Sequence, residues 1–243
     1  MRRQTLTELA SNPDLISGIY NYCDRWCERC PFTSRCLVFA TEAEDDQPST
    51  TQDHENAAFW KQLDTLFQET LTLIPEWATA AGADLTLVEE QGTRRRKRHQ
   101  VDNHPLVLAS KKYAHAAADW FREFDGAEEK ERNTPREVIQ WYQYQISVKT
   151  IRALSGQIEE SNDAETSESP KDSDGSAKVA LIGIDRSLAA WRLMQLAATE
   201  LEGSIIPLIL QLAHLRNRIE SQFPEARQYI RPGFDEIPAP LET

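Results

Sequence analysis

Four cysteines, Cys23, Cys27, Cys30 and Cys36, are all the cysteines of this 243-residue chain, and they fall within fourteen consecutive residues. Their spacing is C-x3-C-x2-C-x5-C. Thiols gathered this closely repel one another as thiolates, so a metal that neutralises them is the simplest reason to keep them together. Arg25, Arg29 and Arg35 lie among them and can add positive charge and outer-sphere hydrogen bonds. Three readings compete. A zinc ion on four thiolates would be structural and closed. A [4Fe–4S] cluster uses the same four ligands and favours a compact, partly apolar cradle. The plainest reading has the cysteines as small buried hydrophobes or as disulfides.

Other residue pairs with chemical potential are weaker. His115 and Asp119 stand four apart on one helix, where a surface pair is simpler than a general base. The run Arg94–Arg98 is a candidate for nucleic-acid phosphates, against the simpler reading of a solvated basic loop. Trp141, Tyr142, Tyr144 and Gln145 form a polar aromatic group that either lines a pocket or belongs to core and boundary. His214 with Arg216 and Arg218 reads as a polar helix face. The chain holds no phosphate-binding glycine loop, Gly-x-Ser-x-Gly elbow, His-Glu-x-x-His site or pair of Glu-x-x-His motifs. A catalytic site is therefore not assigned, and a helical enzyme with an unidentified pocket stays open.

The segment Cys27 to Cys36, CERCPFTSRC, resembles the cysteine loop of endonuclease-III-type DNA glycosylases, whose C-x2-C-P-x4-C completes a [4Fe–4S] site. Cys27, Cys30, Pro31 and Cys36 match that pattern. Cys23 lies four residues before Cys27, where that family places its first cysteine seven before the second. The resemblance implies a cluster rather than a glycosylase, because no helix-hairpin-helix or catalytic lysine context follows. The C-x3-C-x2-C part also has radical-SAM spacing, but the chain lacks the strand–helix alternation of that barrel. An iron–sulfur reading leads, with zinc as the alternative. Trp26 and Phe32 are the residues expected to shield the site.

The elements that must position these thiols read as helices. Glycine is scarce, at nine residues, and apolar residues are ordinary in number, a mix that favours an all-α protein. Ser11-Asn12-Pro13-Asp14 is a helix start. The spacing predicts a helix from Pro13 to the stop at Pro31, with Cys23 and Cys27 on one face, and a short turn or helix over 32–39. Residues 41–53 read as an acidic linker. A helix is expected over 54–81, with Phe59, Leu63, Leu66, Phe67, Leu73 and Trp77 on its stripe. Residues 82–102 fit a loop or ragged hairpin. Further helices are expected over 103–124, 134–154, 179–202 and 205–223. The one over 134–154 would be capped by Thr134 and Glu137, and Gly203-Ser204 would break the chain between the last two. Residues 155–177, rich in Ser, Glu and Asp, read as a disordered linker. Pro224 opens a short helix, and Arg231-Pro232-Gly233 an extended tail that either straps Phe234 onto the helices or docks a partner.

The expected architecture is an antiparallel bundle of four to five helices over 54–223. A four-cysteine metal module over 1–40 precedes it, and a short helix and tail over 224–243 follow it. The net charge of −12 comes from residues 41–55 and 156–177, each contributing −6, so the acidity belongs to connecting segments rather than to a binding face. Protein partners at the tail or the acidic linkers are the expected contacts. The most apolar run, Ile205 to Leu215, is interrupted by Pro207, Gln211 and His214, so no membrane span is expected. Met1-Arg2-Arg3-Gln4 has no apolar run behind it, so no secretory signal is expected. The expected compartment is a reducing cytoplasm, where clustered thiols serve as metal ligands.

Overall fold

A computed structural model of the chain describes residues 11–43, 91–124, 135–162 and 171–235, together with Gln68, Ile74, Pro75, Ala78–Ala80 and Gly82. The described residues are helical, with no strand among them. In chain order the α-helices are α1 (Leu37–Ala43), α2 (Gln91–Asp102), α3 (Pro105–Glu123), α4 (Pro135–Asn162), α5 (Asp172–Ala197) and α6 (Glu202–Gln222). The all-α expectation holds. Most of the helix expected over 54–81, and its stripe from Phe59 to Trp77, lies outside the described residues, as do Thr134 and 163–170.

Four long helices share one core. α4 packs most extensively on α5, α3 packs on α4 and α6, and α5 packs on α6. Each carries an apolar face that water would otherwise have to solvate, and burying these faces on one another is the driving force. Tyr113, Ile139, Tyr142, Ile146, Leu181, Ile184, Trp191, Leu212 and Leu215 are essentially inaccessible. The two core indoles find partners. Trp191 Nε1 donates to the Tyr113 hydroxyl at 3.0 Å, and Trp120 Nε1 donates to Ser204 Oγ at 2.9 Å. α3 begins where His104-Pro105 foretells it, with His104 Nδ1 accepting from the Leu106 backbone N–H at 3.2 Å.

Several boundaries differ from the sequence reading. Residues 91–102 are a helix, not a loop or hairpin. Its Arg, Lys and Gln residues are good helix formers, and Val101 at its end is buried. The segment read as a disordered linker over 155–177 is helical at both described ends, because α4 runs on to Asn162 and α5 begins at Asp172. Composition missed this because the small residues there permit close helix approach. Ser173 is 2 % exposed and binds the Glu160 carboxylate through its backbone N–H at 2.9 Å and its hydroxyl at 2.6 Å. The break between the last two helices falls at Ala198, whose backbone leaves the helical region, and Gly203 and Ser204 lie inside the first turn of α6. Pro224 opens turns rather than a helix.

No single described helix is long and apolar enough to cross a membrane. α5 and α6 pass such a test only as a pair, bent by 117°, and each buries residues in the shared core.

Candidate metal centre

The cysteine segment does not form the expected α-helix. Short 3-10 turns at Ile19–Asn21, Cys27–Arg29 and Thr33–Arg35 replace it. Two backbone positions explain the change. Gly18 takes φ 72°, a left-handed conformation that ends the segment opened at Pro13, and Arg25 takes φ 56°. The chain thus turns between Cys23 and Cys27, so these two thiols do not share a helix face. It turns again before Cys36, whose backbone N–H donates to the Thr33 carbonyl at 3.2 Å.

What the turns accomplish is convergence. Cys23, Cys27, Cys30 and Cys36 all line one small cavity, walled by Ile19, Trp26, Val38, Phe39 and Phe234. All four are half-buried and none is in a disulfide. The cavity volume is about 20 Å³ with the thiols turned as they are, which is room for about one water-sized atom. Among the described residues, no three His, Cys, Asp or Glu side chains are gathered closely enough to hold one metal ion. The donor chemistry suits either zinc or an iron–sulfur cluster.

The surroundings already act on the sulfurs. The Phe32 backbone N–H donates to Cys30 Sγ at 3.4 Å, and the Cys23 thiol donates to the Tyr20 carbonyl at 3.5 Å. Burial pushes the Cys23 thiol up, so its thiolate needs compensation from a cation. Lys149 is a nearby one. It is 7 % exposed, and burial pushes its ammonium down to about 8. Its Nζ donates to the Asn21 carbonyl at 2.9 Å.

A polar dock on α4 and α5 holds the segment in place, and its centre is Asp24. The Tyr142 hydroxyl donates to Asp24 Oδ2 at 2.5 Å, and Arg186 Nη1 donates to the same oxygen at 2.6 Å. Arg186 also donates to the Tyr142 hydroxyl. The Asp24 backbone carbonyl accepts from Trp141 Nε1 at 2.9 Å and from Gln145 Nε2. Burial first, and then the hydrogen bond to Asp24, pushes the Tyr142 phenol well above its ordinary value. Trp26, 7 % exposed, stacks on Trp141 with ring centroids 4.9 Å apart, while the Arg29 guanidinium covers it at 3.7 Å. Arg29 in turn pairs with Glu137 at 2.6 Å. The group Trp141, Tyr142 and Gln145 is thus the seat of the cysteine segment, while Tyr144 is exposed.

Lower down, the Tyr22 hydroxyl donates to Asp172 Oδ1 at 2.7 Å, and Arg152 reaches the same carboxylate at 3.0 Å. Tyr22 packs against Gly175 so closely that a Cβ there would stand 2.4 Å from its ring.

The C-terminal tail closes the site from another side. Phe234 meets Phe32 edge-on at 5.1 Å and lines the cysteine cavity. Asp235 fastens the tail, accepting from Arg231 Nε at 2.9 Å and pairing with Lys178 at 2.8 Å. The hydrogen bonds from Arg231 and then Lys178 hold the Asp235 carboxyl well below the usual carboxylate range. Residues 231–235 are therefore a turn folded onto the cysteine segment rather than an extended tail. Of the expected shields, Trp26 lines the cavity, whereas Phe32 packs edge-on against Phe234, which takes the lining position instead.

The remaining candidates lie apart from this centre. His115 and Asp119 are exposed, and Asp119 pairs with Arg122. Arg95, Arg96 and Arg98 are exposed on α2, with Arg98 3.7 Å from Asp102. His214 is exposed, and Arg216 lies 3.7 Å from Asp185. Asp24, Lys149 and Arg186 escaped the sequence reading because each is an ordinary polar residue until the fold brings it to the thiols. Comparison with protein families, curated proteins and solved structures finds no match to this chain.

Proposed function

We propose that Cys23, Cys27, Cys30 and Cys36 hold a metal centre, in the first reading a [4Fe–4S] cluster, and that the chain is a metal-binding helical protein. The observation that carries this reading is that all four thiols, from three separate turns, line one cavity without pairing as disulfides. The Cys27–Cys36 spacing, with Pro31 after Cys30, adds its resemblance to the glycosylase cluster loop. The long helices would form an antiparallel bundle, with the cysteine segment as its N-terminal metal module.

A bound cluster supplies one-electron redox chemistry, and so a role in redox sensing or electron transfer beside a purely structural one. The protein's own residues do the rest. Lys149 offsets thiolate charge in a buried setting, the Phe32 N–H polarises the Cys30 sulfur, and Trp26, Phe32 and Phe234 limit the access of water. A reducing compartment, as in the cytoplasm, keeps the thiols available as ligands.

Zinc is the second reading, favoured by the cavity volume of about 20 Å³, the space of a single atom. The protein would then be a zinc-stabilised adaptor whose contacts are made through its acidic segments or tail. Anaerobic purification followed by visible spectroscopy and by iron, sulfide and zinc analysis decides between them. Brown protein with matching iron and sulfide is expected. Colourless, iron-free, zinc-loaded protein would replace the first reading with the second, and a metal-free protein with an intact fold would overturn both.

A further inference from the structure

Beside the cysteine cavity lies a much larger cleft, of about 650 Å³, between the cysteine segment, the start of α4 and the outer face of α5. That is the size of a small-molecule site. Its apolar wall is Val138 from α4 with Ala189, Ala190 and Leu193 from α5. Leu193 is 57 % exposed. Polar groups converge on one side, where Asp24, Tyr142 and Arg186 meet.

The state of Arg186 defines what the cleft can take. A guanidinium has five N–H donors in a fixed fork. Only Nη1 is engaged, by Asp24 and the Tyr142 hydroxyl, and no acceptor for Nε or Nη2 is found among the described residues. The side chain is 54 % exposed. Asp24 and Tyr142 thus hold the guanidinium in position while the rest of its fork is available for a second, planar anion. Arg29 adds a second cation to the lining. Trp26, although it lines the cleft, has one face on Trp141 and the other under Arg29, so neither is available to sandwich a flat ring. The cleft is therefore suited to a compact apolar body with one anionic end, and not to a stacked nucleobase.

We propose that this cleft binds a small organic anion, whose carboxylate or phosphate group meets Arg186 and whose apolar body lies on Val138, Ala189 and Leu193. The proposal names no metal: its anchor and apolar wall come from α4 and α5, while the folded cysteine segment supplies Asp24, which positions Arg186, and Cys30 at the edge of the cleft.

Ligand-observed fluorine NMR on the full chain tests it with three probes: 4-fluorophenylacetate, 4-fluorophenyl phosphate and the neutral 4-fluorobenzyl alcohol. At least one anionic probe is expected to bind ten-fold or more tightly than the alcohol, and the two anionic arms distinguish carboxylate from phosphate. Arg186→Gln should weaken the anion ten-fold or more and leave the alcohol unchanged. Ala189→Phe, which fills the cleft from an exposed position without touching the Asp24 contacts, should abolish binding while metal content stays at the wild-type level. Failure of all three probes to bind, equal binding of neutral and anionic probes, or anion binding that survives either substitution would overturn the proposal.

Discussion

The Tyr142 hydroxyl donates to Asp24 Oδ2 at 2.5 Å, joining the first third of α4 to the turn that separates Cys23 from Cys27. The pairing fixes where that turn sits, and so where two of the four thiols point. Tyr142 is itself inaccessible to solvent, so the bond starts from a rigid anchor. Tyr142→Phe keeps the ring in the core and removes one hydrogen bond to a charged acceptor, while Arg186 keeps the carboxylate paired. The expected loss is about 1.5–3 kcal/mol in urea unfolding. Proteolysis should become faster within 11–36 before it does so in the helices. Unchanged stability and proteolysis would mean that the bond does not hold the segment.

Replacement of any one of Cys23, Cys27, Cys30 or Cys36 by Ala removes one of four proposed ligands. Each variant is expected to lose most of its bound metal, read as metal per chain after purification. The long helices should keep their far-UV circular dichroism, because their core does not include the thiols. A variant that retains full metal would show that its cysteine is not a ligand.

Lys149 makes a prediction that depends on the state of the site. Its ammonium is pushed down by burial to about 8, below the ordinary lysine value, so its charged form costs stability in the folded chain. The sign follows from linkage. The unfolded chain binds more protons between the two values, so the cost is full below about pH 8 and is relieved as pH rises toward the ordinary lysine range. Lys149→Met should therefore stabilise metal-free protein at pH 7, with the gain shrinking above about pH 8. Arg152 still donates to the Asn21 carbonyl, at 3.2 Å. In metal-loaded protein the same change removes a cation beside the thiolates, and faster metal loss to a chelator is expected. Stabilisation of both forms would remove Lys149 from the site.

Gly175 is held by the Tyr22 ring. Gly175→Ala places a Cβ 2.4 Å from Tyr22 Cε1 and 2.8 Å from Tyr229 Cε1, so both rings must move. Overpacking of this kind costs about 1–3 kcal/mol, more than the helix propensity gained from alanine. Thermal unfolding should fall, and Gly175→Ala combined with Tyr22→Ala should recover part of the loss. A stabilised single variant would place Tyr22 elsewhere.

The tail should be released by acid. Arg231 and Lys178 hold the Asp235 carboxyl below the usual range, so its contribution is full above the ordinary carboxylate value and is lost as pH falls beneath it. The stability difference between wild type and Asp235→Asn should be present at pH 7 and shrink between about pH 5 and pH 2. A difference independent of pH would mean that the ion pairs with Asp235 do not fasten the tail.

The local pattern of residues was enough to read the all-α class, the thiol cluster and the start of α3. Apolar periodicity is written along each helix, and the His104-Pro105 start acts within one turn. Arg94–Arg98 was misread as part of a loop because charge hides helix propensity when no apolar stripe accompanies it. The linker pattern over 155–177 hides the helical ends at 155–162 and 172–177 because Ser and Gly look alike in a linker and in a tight helix contact, and only the placement of Ser173 on Glu160 separates the two.

The site divides in the same way. Its four cysteines are adjacent in sequence, and no fold is needed to find them. Their arrangement depends on partners far along the chain, since Asp24 is held by Tyr142, 118 residues away, and by Arg186, 162 residues away. A helix across Pro13–Pro31 would satisfy its own backbone locally, but it could not offer the Asp24 carbonyl to Trp141 and Gln145 or bring Cys36 to the other thiols. The types and spacing of the thiols were thus determined by sequence alone. The tertiary structure decided the turns that gather them, the cation and aromatic rings beside them, and the cleft at their side.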